Sequence, residues 1–131
     1  MRLVVDSVII AVITNERHKQ ALVELTKGAE LVAPHALHWE IGNAFSALFK
    51  RKRVDLQQAI DAVQYYKTIP IRFCDVQLDF ALEIANELNI YAYDAYFIGC
   101  ASKYSGTLAS LDHKLIDAAE SFGIKILEVS K

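Results

Sequence analysis

Short, mostly apolar runs alternate along this chain with longer segments whose apolar residues recur every three or four positions, and this alternation constrains the fold more than any other feature. RLVV at 2–5 is the first run, ended by Asp6. ELVA at 30–33, IPIRF at 69–73, TLASL at 107–111 and IKILEV at 124–129 follow. Apolar stretches of this length read as strands buried on both faces, and the intervening segments read as amphipathic helices. The sequence therefore predicts an α/β fold: one three-layer α/β/α sandwich over residues 1–131, with a mainly parallel central sheet. Right-handed crossovers in such a sheet collect the C-terminal ends of the strands along one edge, where open α/β sheets bind ligands.

Helix signals fill the gaps. Residues 8–13 begin a helix. Asn15 caps a second over 16–27, which Gly28 ends. A long helix runs over 35–52. Asp55-Leu-Gln-Gln58 is a capping-box pattern for a helix over 56–67. Asp75 caps a helix over 76–88, Asp94 opens one that reaches about 104, and another spans 113–122 before Gly123.

Composition narrows the class. Hydrophobic residues make up 53% of the chain, and two prolines and five glycines exclude a disordered or collagen-like protein. A net charge of −2 gives no global basic field, so nucleic-acid binding must rest on a local patch. Cys74 and Cys100 are too few for a disulfide framework and read as buried free thiols. The apolar start is interrupted by Asp6 and has neither a cleavage site nor a spanning length, which predicts a cytoplasmic protein without a membrane segment.

Most of the acids have ordinary places. Asp61, Asp79, Glu83, Glu87, Asp117 and Glu120 fall on polar helix faces, and Asp55 and Asp75 fall at helix starts. Four acids do not fit that scheme. Asp6 and Asp112 stand at the C-terminal ends of the first and TLASL strands. Glu40 lies on the apolar stripe of the long helix with Ala36, Leu37, Ala44 and Ala47. Asp94 stands among aromatic and aliphatic residues in IYAYDAYFIGCA. Each alone reads as a cap or an ion-pair partner, but in this fold strand ends and helix N-termini meet at one edge. Two carboxylates about 5 Å apart repel by roughly 3 kcal/mol at an effective dielectric of about 20. Four make six pairs, an upper bound of ~20 kcal/mol, against a domain stability of about 5–15 kcal/mol. Such a cluster must take up protons or bind cations, and an all-oxygen donor set favours Mg²⁺ or Mn²⁺ over zinc.

At these residues the chain resembles the PIN-domain family, and within it the VapC-type toxins of toxin–antitoxin pairs. The family's first acid follows the first strand and precedes a hydroxyl residue, here Asp6 and Ser7. Its second is a glutamate early in a long helix with an asparagine one turn on, here Glu40 and Asn43. Its third opens D-A-x-φ-φ, with φ apolar, here D-A-Y-F-I from Asp94 to Ile98. Its fourth lies in [T/S]-x-D-x-x-L, here S-L-D-H-K-L from Ser110 to Leu115. Departures are His38 and Trp39 before the glutamate and His113 after the fourth acid, which bear on substrate access. The resemblance implies a metal-dependent endoribonuclease in which Asp6, Glu40, Asp94 and Asp112 hold Mg²⁺ or Mn²⁺. Ser7, Asn43 and Ser110 would support them by hydrogen bonds. It also implies an RNA substrate, a VapB-type antitoxin that blocks the acidic cleft, and a homodimer.

The alternative is a PIN-fold module that binds RNA or protein without turnover. A haloacid-dehalogenase-type phosphatase needs D-x-D after the first strand, but residue 8 is valine. A phospho-receiver needs an acidic neighbour that Asp6 lacks. The basic run Lys50–Arg53 reads first as a solvated helix end and second as a phosphate attractor. Tyr65, Tyr66, Tyr91, Tyr93 and Tyr96 read first as packing or dimer residues and second as base-stacking rings.

Overall fold

The computed structural model describes residues 1–8, 20, 23–24 and 27–127. The expected helix from 8–13, the Asn15-capped helix and the last residues of the 124–129 strand lie wholly or largely outside them. Among the described residues the order is β1 (Arg2–Val5), β2 (Glu30–Pro34), α1 (Ala36–Lys50), α2 (Leu56–Thr68), β3 (Ile71–Cys74), α3 (Leu78–Leu88), α4 (Ala92–Lys103), β4 (Thr107–Ala109), α5 (His113–Ser121) and β5 (Ile126–Leu127).

The strands form one sheet in the order β3-β2-β1-β4-β5, and every pairing is parallel. β1 is central, so Leu3, Val4 and Val5 are all buried. This is why the strand reads as a continuous apolar run rather than an alternating one. α4 packs against β1, β2 and β4, α1 against β2, and α5 against β5. The result is the α/β/α sandwich that the alternation predicts.

The strand order also locates the site. The chain leaves β1 outward through β2 to β3, then returns to lay β4 on β1's other side. The crossovers on either side of β1 therefore diverge, and this reversal opens a crevice at the C-terminal ends of β1 and β4. Asp6 follows β1, and Ser110 and Asp112 follow β4.

Local signals account for most element boundaries. The capping box at α2 is present in full: Asp55 Oδ1 accepts from the Gln58 backbone at 2.8 Å, and Gln58 Oε1 accepts from the Asp55 backbone at 2.9 Å. α5 ends at Gly123, whose φ of +84° suits glycine.

Several boundaries differ from expectation: β4 ends at Ala109 rather than at 111, and β5 begins at Ile126 rather than at 124. β3 begins at Ile71 rather than at residue 69, because Pro70 has no N–H to give the ladder. α3 begins at Leu78, and its N-cap Gln77 makes no side-chain cap bond. Asp75 is thus not its cap; its carboxylate instead meets His35 Nε2 at 3.2 Å. α4 begins at Ala92 with Tyr91 as N-cap, so Asp94 stands inside the first turn rather than opening it. Cys74 and Cys100 are buried free thiols, and burial pushes the Cys100 thiol up to about 12. No helix among the described residues is long and apolar enough to cross a membrane.

Candidate active site

Asp6 is the most deeply placed acid. It follows a strand with no exposed face and is only 3% exposed. Both carboxylate oxygens are held: Oδ1 accepts from the Val8 backbone N–H at 2.8 Å, and Oδ2 accepts from Ser110 Oγ at 2.6 Å. The first is an Asx turn. Burial pushes the carboxyl up to about 6 against the pull of these two hydrogen bonds, and the nearby Asp112 raises it further.

Glu40 lies on the first half of α1, at the border of its core face. Leu37, Ile41 and Phe45 form the buried stripe, and Glu40 is half-buried beside it. Burial raises its carboxyl to about 7, and Asp6, Asp94 and Asp112 add to the rise in that order.

Asp94 is half-buried in the first turn of α4. Burial raises its carboxyl first and Asp112 second, while Lys114 lowers it. Asp112 is exposed and caps α5, accepting from the Lys114 and Leu115 backbones at 3.0 and 3.4 Å. Its own N–H donates to Ser110 Oγ at 3.0 Å. Ser110 thus links the two strand-end acids through one oxygen.

The fold brings all four singled-out acids within electrostatic reach of one another at the crevice beside β1 and β4. It does not bring them into a finished ligand sphere: among the described residues, no three His, Cys, Asp or Glu side chains stand arranged to hold a metal ion. Asp6 and Asp112 spend oxygens on backbone N–H groups. The donor chemistry still fits a hard divalent cation, since all four groups offer carboxylate oxygen and share unrelieved negative charge. Ser7 is half-buried in the turn after Asp6, and Asn43 is exposed one turn beyond Glu40.

Residue spacing did not reveal Lys114 as the cation beside Asp94. Its signal was present in the sequence, two residues after the fourth acid on a helix start. The basic run Lys50–Arg53 is largely exposed around the C-terminal end of α1, away from the crevice.

A family model described as the PIN domain matches residues 3–121. The chain belongs to the PIN-domain family. Solved structures share the fold of this PIN-domain protein across nearly its whole length. PAE2754 from Pyrobaculum aerophilum superposes with a TM-score of 0.70 at 20% identity, covering 93% of this chain and 95% of that one. VapBC2 from Rickettsia felis, bound to a DNA fragment from its promoter, gives 0.69 at 16%, covering 98% of each chain. VapC20 of Mycobacterium tuberculosis, described as a toxin cleaving the sarcin–ricin loop, gives 0.61 at 15%, covering 88% of this chain and 94% of the other. Compared by sequence with curated proteins, the chain has no significant match.

Proposed function

We propose that this PIN-domain protein is a divalent-metal-dependent endoribonuclease, the toxin of a VapBC-type toxin–antitoxin pair. The observation that carries the reading is the placement of Asp6, Glu40, Asp94 and Asp112 at one crevice of a PIN-domain fold. The Glu40 carboxyl is held near neutrality by burial and by three other acids, in a crevice where an α/β sheet of this order binds ligands. The likeness in fold to VapBC2 and VapC20 supports the toxin role.

Asp6, Glu40, Asp94 and Asp112 would hold Mg²⁺ or Mn²⁺. Such a cation, when bound, makes water a stronger nucleophile and offsets charge developing on a phosphodiester. The chain's own residues do the rest. Ser110 fixes the Asp6 carboxylate by its hydrogen bond, and the Asx turn fixes its other oxygen. Glu40 would be a ligand or would orient the attacking water. Lys114 sets a positive charge beside Asp94, where a phosphate would lie. RNA is the proposed substrate, and a VapB-type antitoxin and a second copy of the chain are the proposed partners.

The test is incubation of total RNA with the protein in Mg²⁺, in Mn²⁺ and in EDTA, beside Asp94→Asn. Cleavage that requires the cation and is lost in the variant supports the reading. Cleavage that persists in EDTA, or unchanged in the variant, overturns it.

A further inference from the structure

Beside the acidic crevice lies a groove of about 580 Å³ that none of the four acids lines, a size typical of small-ligand sites. Its walls come from the start of α1, the start of α4 and the turn after β3. Three of its rings are open to solvent: Trp39 is 65% exposed, Tyr91 88% and Tyr93 52%. Core packing accounts for Tyr66, which is buried, but not for these. Tyr93 meets Tyr96 edge-on at 6.3 Å. His35 lies nearly parallel to Phe73 at 6.0 Å, and His38 stacks on Phe73 at 4.3 Å, so the groove wall continues a column of rings.

The groove and the acidic group are built on the same two helices. On α1, Glu40 belongs to the acidic group and its neighbour Trp39 to the groove. On α4, Asp94 belongs to the acidic group and its neighbour Tyr93 to the groove. A polymer presenting one phosphate to the acids can therefore reach these rings with an adjoining unit. Among the described residues the groove's carboxylate is Asp75, which meets His35 Nε2, and the Asp75 carbonyl accepts from Lys103 Nζ at 3.1 Å. That ammonium adds positive charge next to the groove for a polyanion. Exposed aromatic faces are sequence-tolerant stacking platforms for unpaired bases.

We propose that this groove holds an unpaired nucleobase of the RNA strand, stacked against Trp39, Tyr91 and Tyr93 next to the phosphate offered to the acids. The inference rests on the nuclease reading above and adds a binding subsite to it. It makes the protein a reader of single-stranded segments, because a base inside a duplex cannot reach the rings.

Trp39 is the chain's one tryptophan, so intrinsic fluorescence reports on this groove directly. The experiment titrates the full chain in EDTA, where metal-dependent cleavage is blocked, with a short fluorescently labelled oligouridylate. Trp39 emission and the anisotropy of the label are followed together. The expected result is saturable quenching that tracks the anisotropy. Abasic sites in the oligonucleotide, or the Tyr91→Ala/Tyr93→Ala double variant, should weaken binding by about 10-fold. Tyr91→Phe/Tyr93→Phe should retain binding, since the ring faces remain. RNA binding with unchanged Trp39 emission overturns the proposal. So does no RNA binding, or emission that changes only with protein concentration, which would make the groove a contact between copies. The two readings separate cleanly. Quenching by RNA in a protein that never cleaves retains the groove and removes the nuclease. Cleavage by the double-alanine variant with unchanged KM retains the nuclease and removes the groove.

Discussion

Ser110 Oγ donates to Asp6 Oδ2 at 2.6 Å across a separation of 104 residues, tying the end of β4 to the end of β1. The same oxygen accepts from the Asp112 N–H. Ser110→Ala should therefore leave a buried carboxylate short of a partner, at a cost of about 1–3 kcal/mol. It should also weaken Mg²⁺ or Mn²⁺ binding by about 10-fold, because the ligand loses the group that orients it. Urea denaturation and calorimetric cation titration measure the two effects, and Ser110→Thr, which keeps the hydroxyl, should restore both. Equal loss in the alanine and threonine variants would show that volume, not the hydrogen bond, matters.

The acidic group gives the cation-free fold an unusual pH dependence. Asp6 and Glu40 titrate at about 6 and about 7, above ordinary values of 3.8 and 4.5. Between those limits the folded chain keeps protons that the unfolded chain has released, so the slope of stability with pH is negative. Their contribution is fully present below about pH 4 and is lost as pH rises through 7. Discounted for the partial exposure of Glu40, the loss is on the order of 3 kcal/mol in total. Urea midpoints in EDTA should fall from pH 5 to pH 8, and millimolar Mg²⁺ should raise the midpoint more at pH 8 than at pH 5. A midpoint that climbs over this range would show that folding does not raise these two carboxyls.

How much of this was legible in the sequence depended on the distance over which each signal acts. The α2 capping box depends on residues three apart, and it formed as written. Asp75 carried the same kind of local signal, but the chain stays extended through Gln77, and Asp75 was drawn to His35, which is 40 positions away. Asp94 read equally well as a cap or as a free acid. Only the start of α4 at Ala92 decided between them. The crevice acids could be singled out because a charge on an apolar stripe or at the end of a buried strand is costly in any fold. The aromatic groove could not be read this way. Tyr91 and Tyr93 read first as packing or dimer residues, and Trp39 only as a bulky departure before Glu40, until the starts of α1 and α4 are seen to leave all three exposed.

Asp112 has two separable jobs. Its side chain caps α5, and its charge raises Asp6, Glu40 and Asp94. Asparagine caps as well as aspartate but carries no charge, whereas alanine does neither. Asp112→Ala should lower stability by about 1 kcal/mol, and Asp112→Asn should not. Cation-dependent RNA cleavage should fall in both. If Asn retains full cleavage with Mg²⁺, Asp112 acts only as a cap. Melting curves beside a cleavage assay separate these cases.

Gly99 fixes how closely α4 approaches the turn after β3. A Cβ there would meet Val76 Cγ1 at 2.9 Å, and Val76 is stiff about χ1. Gly99→Ala should cost about 1–3 kcal/mol through overpacking. Val76→Ala should recover part of that loss in the double variant, since the clash is with one methyl. Additive losses in the double-mutant cycle would locate the cost elsewhere.

Asp94→Asn sets function against stability most directly. The substitution keeps size and hydrogen-bonding capacity and removes one of the three charges that raise Glu40. In EDTA at pH 8 the variant should therefore be more stable than the wild type, by on the order of 1 kcal/mol. The Glu40 carboxyl should titrate closer to its ordinary range, which NMR of the side-chain carboxyl would follow. Added Mg²⁺ should stabilise the variant less than the wild type, because a ligand that binds only the folded state stabilises in proportion to its affinity. RNA cleavage should be lost. A structural carboxylate behaves in the opposite way: its removal lowers stability and leaves the response to Mg²⁺ unchanged. Urea midpoints of the two proteins with and without Mg²⁺ therefore distinguish an acid kept for cation chemistry from one kept for the fold.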